Sequence, residues 1–566
     1  MRAVLISLVL GLTGCAPAWQ QTPHDIPFQR LGGLVEHQAP EPYVVWDWWD
    51  VARHSTVVPL GKLVSPARIV DRITGGRPAL DTNAFGLVAD SPWFTNRIGR
   101  RALTTDEVRR GANLDAEPAA GSLVVITGKP RGVTPGVVVR DGKGVVWYVK
   151  FDPPAHPELA SGAEAVASRV LHAAGWHVPQ NFVVNLKLAR LKLAPDALLP
   201  NKYDAWVPMT RQRLDHLLGS LNPDQKGRAR ALFSRQVPGQ LLGPFDYRGV
   251  NSLDPNAIIP AHRRRALRGL WVLMAWLNNS DTRMNNGMDT FIASSKDQGS
   301  SSEGPKRGHI RHYLMDFGDS LGSSGRRAKA RAEGHEQRVD WSQIGFRLVT
   351  LGMFPPYWSP ILRSPYRSVG IFEATVFDPA RWSPLIPNPA FAEATARDTY
   401  WGAALVARFD RPLIEAAVMA GEYSDARASE AIISALVERR QKLLRHAFAR
   451  VLALDDVRAE GCVVEFTDLE FLSGLRTGPA SYHWTLDWAR SSRHLRLSRG
   501  QAKQPVVDLC GALEGARAAH GSTLEADPFV TLTVHRGGPD LGPPIAAHFR
   551  ILEGGRLLPI GLERAV

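Results

Sequence analysis

Stretches of period two and stretches of helical period follow one another along the chain, and their order is informative. Leu123 to Ile126 and Val137 to Arg140 are β-like runs. The turn Asp141-Gly142-Lys143-Gly144 leads into a third, Val145 to Phe151, rich in β-branched and aromatic residues. Ala163, Val166, Ala167, Val170, Leu171 and Ala174 then recur at helical spacing, which predicts a helix over about Gly162–Ala174, stopped by Gly175. Pro179 opens a run from Asn181 to Leu193 that alternates like a strand. A second amphipathic helix is predicted over about His262–Leu277, with Leu267, Leu270, Trp271, Met274 and Leu277 on one face. Residues 294 to 308 are rich in Ser, Gly and Lys and read as a flexible loop, and Tyr313 to Phe317 is short and strand-like. Helical segments are predicted between about 395 and 453, with Ile432, Leu436, Leu443 and Phe448 on the apolar stripe. After about residue 456 alternation returns in His494–Leu497 and Val530–His535, separated by Gly and Pro clusters, which predicts a small all-β domain.

The N-terminus has a different character. Met1-Arg2 is a minimal positive region, and Ala3 to Leu12 is apolar but too short to span a bilayer. Leu12-Thr13-Gly14-Cys15 resembles a bacterial lipobox, which implies a lipid on Cys15. Two or more acyl chains make a stable anchor, at roughly 0.8 kcal/mol per buried methylene. Ala16 after the cysteine fits the outer-membrane sorting pattern, so the expected location is the cell envelope, lipid-anchored and facing the periplasm. Residues 1–14 are then a signal peptide, 15–45 a Pro- and Gln-rich tether, and 46–115 an N-terminal extension. That extension holds Trp46, Trp48, Trp49 and the segment Ser91-Pro92-Trp93-Phe94-Thr95-Asn96-Arg97, for which packing is the default reading.

Length and composition change little. With 566 residues, 44% of them hydrophobic, the chain is long enough for two or three globular domains. A net charge of +13 favours anionic partners or simply a soluble basic surface. The basic clusters lack interleaved aromatics, so no specific nucleic acid is expected. Cys462 and Cys510 lack metal-site spacing and read either as a disulfide or as two buried thiols.

The residues that could carry chemistry lie between about 120 and 450. Val145–Lys150 ends a strand in a lysine, and Glu164 follows on the next helix, although Ser161-Gly162-Ala163-Glu164 also fits a capping box. Directly after the second helix, Asn278-Asn279-Ser280-Asp281-Thr282-Arg283-Met284-Asn285-Asn286 places an Asn five residues beyond an Asp. A polar loop is the plain alternative. Met315-Asp316-Phe317-Gly318 closes the short strand further on. Phosphoryl transfer uses such a set: a lysine for the phosphates, a carboxylate to hold it, a base, and oxygen ligands for the metal.

Together, Lys150, Glu164, Asp281 with Asn286, and Asp316-Phe317-Gly318 resemble the protein-kinase-like superfamily, nearest its atypical branches: HipA toxins, phosphatidylinositol kinases and secretory-pathway kinases. Gly243-Pro244-Phe245-Asp246-Tyr247-Arg248-Gly249 and Ile386-Pro387-Asn388-Pro389-Ala390-Phe391 also resemble segments of a bacterial lipoprotein family of unassigned activity. The resemblance implies an α+β, two-lobed kinase-like domain over 116–455 with a mostly helical C-lobe, followed by the β domain at 456–566. It implies Asp281 as general base, Asn286 and Asp316 as ligands of Mg²⁺, and Lys150, Glu164, Gly132 and Gly136 at a nucleotide such as ATP, with Gly128 beside the phosphate loop. The acceptor would be a protein, glycan or lipid.

Several features depart from that pattern. The glycines are not spaced Gly-x-Gly-x-x-Gly, Ser280 stands where ordinary protein kinases have arginine, and about 35 residues separate Asp281 from Asp316. Extracytoplasmic spaces are also not known for a supply of ATP. Two rival readings follow: a catalytically inactive kinase-like scaffold, and a serine hydrolase using Ser320 in Gly318-Asp319-Ser320-Leu321-Gly322. The hydrolase needs a packed helix after the serine, and Ser323 to Glu333 is polar and basic. His309-Ile310-Arg311-His312 is discounted as a metal site, because residues three apart on a strand face opposite sides.

Overall fold

The computed structural model describes residues 34–43, 51–57, 76–129, 134–200, 205–294, 306–490, 493–537 and 542–566. Cys15, Gly132 and the Trp46–Trp49 cluster lie outside them. The fold is α+β. By internal contacts it divides into a larger unit, Leu34–Leu80 with Asp90–His446, and a smaller one, Asp81–Ala89 with Ala447–Val566.

The larger unit begins with a seven-stranded sheet. Its strands in chain order are β1 (Leu123–Gly128), β2 (Gly136–Arg140), β3 (Val146–Phe151), β4 (Asn181–Lys187), β5 (Leu191–Pro200), β6 (Trp206–Pro208) and β7 (Arg228–Arg235). Their spatial order is β4-β7-β3-β2-β1-β5-β6, antiparallel except where β1 meets β5. On β3, Trp147, Val149 and Phe151 point into the core while Tyr148 and Lys150 face the other way, the period-two alternation of a sheet. Asp141 fixes the β2–β3 turn, accepting from Lys143 N, Val145 N and the Trp147 indole.

The run Asn181–Leu193 is two strands, not one: a 3₁₀ turn at Leu188–Arg190 separates β4 from β5. Alternation continues across that turn, so pattern alone could not find the break.

Against the sheet lies α2 (Leu159–Ala174), preceded in the chain by the short α1 (Thr105–Arg110). Asp152 receives Ala160 N at 3.0 Å, Ser161 N at 2.9 Å and Ser161 Oγ at 2.5 Å. A side chain from the preceding loop therefore satisfies the orphan donors of the helix start. The expected capping box does not form, and Glu164 is released for another partner.

Beyond α3 (Arg211–Gly219) the chain makes a second sheet. Strands β8 (Gln240–Gly243), β9 (Gly287–Ala293) and β10 (Arg307–Leu314) pair antiparallel, with the short strand His37–Gln38 along the other edge of β10. The long interval between Asp281 and Asp316 is thus a β hairpin.

The helix expected over His262–Leu277 is broken. A 3₁₀ turn at Ala261–Arg263 and a single turn at Arg265–Arg268 precede α4 (Leu270–Leu277). The non-helical residue is Arg264, whose backbone is extended (φ −91°, ψ 128°), while Gly269 keeps helical angles and packs so that a Cβ there would lie 2.5 Å from the Trp401 ring. Next come α5 (Trp341–Val349), α6 (Ala396–Ala407), α7 (Arg411–Met419) and α8 (Ala426–Phe448). Asp398 closes the capping box of α6 and also binds Arg265 at 3.0 Å and Arg268 at 3.3 Å, both buried.

The smaller unit holds a three-stranded sheet of β11 (Leu454–Glu460), β12 (Val463–Asp468) and β15 (Val506–Asp508). Its five-stranded sheet contains β13 (Tyr482–Arg490), β14 (Arg493–Ala502), β16 (Phe529–Arg536), β17 (Ile545–Ile551) and β18 (Leu557–Arg564). It is not all-β. Helix α9 (Cys510–Ala526) buries Leu513, Ala516 and Leu524 in its core. Ala84 accepts a hydrogen bond from Leu562 N, which ties the early segment 81–89 into this unit. Cys462 and Cys510 are joined by a disulfide. Among the described residues no helix is long and apolar enough to cross a membrane.

Candidate functional site

Lys150 leaves β3 on the face turned toward α2. Its ammonium donates to Glu164 Oε1 at 2.9 Å and Oε2 at 2.8 Å, and to Asp316 Oδ1 at 2.9 Å. Three residues separated by up to 166 positions thus meet at one cation. Burial by itself would lower the Lys150 pKa, but Asp316 and Glu164 raise it above the ordinary lysine value. Burial raises the Glu164 carboxyl against the pull of Lys150. Burial would also raise Asp316, yet Lys150, then Lys129, and the Gly318 N–H hold it well below the ordinary aspartate range. Asp316 has a left-handed backbone, φ 53°, which turns the chain out of β10 and aims its carboxylate at Lys150.

Asn286 and Asp316 emerge at one end of the β9–β10 hairpin. Gly287 pairs with Leu314, and Met315 N donates to Asn286 O at 2.8 Å, so the next residue on that strand is Asp316. Asn286 Nδ2 donates to the Asp281 carbonyl at 2.5 Å. That fixes the amide and leaves Oδ1 without a protein partner among the described residues. Phe245 packs under this end: a Cβ on Gly287 would come within 2.4 Å of its ring.

The Asp281 loop is braced from three sides. Asn278, with φ 50°, ends α4, and Trp382 Nε1 donates to its Oδ1 at 3.0 Å. Buried Arg439 donates to the carbonyls of Trp276 at 2.9 Å and Ala275 at 2.6 Å, satisfying the C-terminal turn of α4. Asn388 Nδ2 donates to Thr282 O at 3.0 Å, and Leu385 N to Ser280 O at 2.9 Å. The Ile386–Phe391 segment therefore holds this loop in place. The Asp281 carboxylate itself is paired with Arg283, at 2.6 and 3.1 Å.

The glycines have sterically enforced positions. Gly136 lies directly across the ladder from Lys150, and a Cβ there would fall 2.3 Å from Val149 O. Gly128 pairs with Val137, and a Cβ there would lie 2.9 Å from Leu199. Gly132 falls outside the described residues.

Lys129, between Gly128 and Gly136, was not among the candidates from sequence. Its ammonium donates to Thr134 O at 3.3 Å. Burial, then repulsion from Lys150, lowers its pKa to about 8, against the pull of Asp316 and Glu164. A second ammonium thus faces the same acids.

The residues after Asp316-Phe317-Gly318 do not make a nucleophile elbow. Turns follow Ser320 as far as Glu333 and no helix does. Ser320 is fully buried, with Oγ enclosed and unpaired. What forms instead is a sealed cluster. Lys329 donates to Ser280 Oγ and to Asp319 Oδ2, both at 2.6 Å, and Asp319 Oδ2 also accepts Ser280 N at 3.1 Å. His312 is buried and paired with Asp289 at 2.6 Å, with Trp93 stacked on its ring at 3.4 Å. The Ser91–Arg97 segment thereby supports the hairpin.

No protein-family model matches the chain, and no curated protein matches it. Among solved structures, the proinflammatory kinase CtkA of Helicobacter pylori aligns with 57% of this chain and 94% of its own, at 12% identity and a TM-score of 0.29. At that level of similarity the roles of the residues rest on their own geometry.

Proposed function

We propose that the larger unit is a two-lobed, kinase-like domain whose cleft binds Mg²⁺ and a nucleotide and transfers a phosphoryl group. One observation carries the reading: Lys150 is shared by Glu164 and Asp316, and Asp316 leaves the same hairpin end as Asn286. A lysine held between two carboxylates is pre-oriented, and it can give one of its bonds to a phosphate oxygen at little reorganisation cost. Lys129 and Lys150 would meet the phosphates. Asp281 would accept the acceptor's hydroxyl proton once Arg283 turns toward transferred charge.

The oxygen donors suit the metal. Asp316 keeps 41% of its side chain open, and Asn286 Oδ1 is uncommitted among the described residues. Mg²⁺ takes such hard oxygen ligands, and when bound it neutralises phosphate charge. Asp316 and Asn286 would hold it.

The scaffold reading has one observation in its favour, the Asp281–Arg283 pair that occupies the base. Calorimetry with ATP, ADP and GTP, with and without Mg²⁺, tests the cleft. Micromolar to millimolar binding that needs Mg²⁺ is expected, and absence of heat at millimolar nucleotide would leave the scaffold. Asp281→Ala is expected to keep nucleotide binding and to lower transfer by about 10²–10⁴-fold. Binding without transfer in the parent protein would also favour the scaffold.

We further infer a lipid-anchored envelope protein, held by lipid on Cys15 and facing the periplasm. The Cys462–Cys510 disulfide supports export, since such bonds persist in oxidising compartments. Loss from membrane fractions in Cys15→Ser is the expected result, and retention there would mean another anchor.

A further inference from the structure

From Trp341 to Phe372 the chain contains no Asp, Glu or Lys, while Arg347, Arg363 and Arg367 are all basic. The stretch opens with α5, none of whose residues is buried. Leu348, Val349, Leu351, Met353, Phe354 and Leu362 are 60–86% exposed. A monomer in water rarely keeps so large a contiguous apolar surface without a use for it.

The segment is held firmly at its base. Asp340 caps α5 through Gln343 N at 3.1 Å, and Trp341 Nε1 donates to Ser55 O at 3.1 Å. Glu336 takes Arg347 at 2.6 Å and Trp358 Nε1 at 2.8 Å, and Ile361 is buried. Leu351 (φ 52°) and Gly352 (φ 72°) reverse the chain after the helix and leave the apolar tip facing outward.

We propose that Trp341–Leu362 docks on an anionic lipid surface. Leu348, Val349, Leu351, Met353 and Phe354 enter the acyl boundary, and exposed Arg363 and Arg367 meet the headgroups. Charge selects this occupant. A second copy would set one acid-free basic segment against another, whereas an anionic bilayer satisfies both the apolar tip and the arginines. The proposal does not depend on the chemistry of the cleft.

The test uses the full chain carrying Cys15→Ser and Met353→Cys, its native disulfide intact, with nitrobenzoxadiazole on the new thiol. The probe surface is vesicles of equimolar phosphatidylcholine and phosphatidylglycerol. The label reports on position 353 alone, whatever the N-terminus does. A blue-shifted, brighter emission on adding vesicles is expected. Affinity should fall more than about tenfold in Phe354→Ser. It should fall about fivefold for each of Arg363→Gln and Arg367→Gln at low salt. Emission indifferent to lipid overturns the proposal. So does a shift that grows with protein concentration in the absence of lipid, which assigns the surface to a second copy. A label already in apolar surroundings in dilute, lipid-free protein assigns it to the chain itself.

Discussion

Lys150 and Lys329 both place an ammonium against an aspartate, and the two aspartates, Asp316 and Asp319, stand three positions apart in the chain, yet the two sites are built differently. Lys329 is 0% exposed, and its acceptors Ser280 Oγ and Asp319 Oδ2 belong to loops that pack on one another. Lys150 is 14% exposed, and one of its two partners, Asp316, is 41% open. A sealed pair with every bond internal can only hold the chain. An open pair holds the chain and keeps a face through which a cation or an anion can enter. On the proposed reading, the Lys150 side is the place for chemistry, and the Lys329 side is the clamp on the Ser280–Asp281 loop.

The largest effect should come from the clamp. Lys329→Ala leaves Asp319 buried beside Asp281, and removing one partner of a buried pair costs about 3–5 kcal/mol. A lower urea midpoint is the expected reading. A parental midpoint would erase the distinction between clamp and cleft.

Lys150→Ala should cost less stability, because Asp316 can turn to water and Glu164, whose carboxyl burial already raises, can take up a proton. In exchange it should lose at least about tenfold in affinity for MgATP, a charge-assisted bond to phosphate. Calorimetry on folded variant reads this. The reverse result, a large stability loss with affinity retained, would move the functional assignment away from Lys150.

The smallest effect separates the two sites by sign. Burial, and then the neighbouring Asp281, push the Asp319 carboxyl up to about 6 against the pull of Lys329. Between the ordinary aspartate range and about pH 6 the folded state therefore holds more protons than the unfolded chain, and stability falls as pH rises through that window. Asp316, held below its ordinary value, does the opposite. Its contribution is present above the ordinary aspartate pKa and is lost as pH falls toward the folded value. Between about pH 4 and 6 the fall of the urea midpoint with pH should flatten in Asp319→Asn, and below about pH 4 the rise of the midpoint with pH should flatten in Asp316→Asn. Equal slopes in both would show that the two carboxyls share one environment.

The candidate site residues were legible because each sits in a local pattern. A lysine closes a strand, a glutamate follows on the next helix, an Asp and an Asn stand five apart, and an Asp-Phe-Gly ends a β run. Other parts carried no such signal. Asn388 reaches Thr282 across 106 residues from a Pro-rich loop, and Lys329 reaches Ser280 across 49. Lys129 looked like any loop lysine, and Arg283 like part of a polar loop. Elements were misread where two local signals competed. Ser161 suggested a capping box, but Asp152 occupies the helix start. Alternation ran through the 3₁₀ turn at Leu188–Arg190, and the helical reading began before the extended backbone of Arg264. The helix Cys510–Ala526 went unseen between β runs, since Gly511, Gly515 and Gly521 weaken its pattern.

By itself the sequence determined the alternation that builds β3 and turns Lys150 away from the core, the apolar face of α2, and the identity of the acids and amides available for chemistry. Those properties follow from neighbours a few positions apart, which share one strand or one helix turn. Only the tertiary structure decided which acid meets which lysine, which aspartate is open and which is sealed, and that an acid-free apolar segment projects outward. Those outcomes depend on burial and on contacts across more than a hundred positions, and there the desolvation of a charge and the distance to its partner set the result.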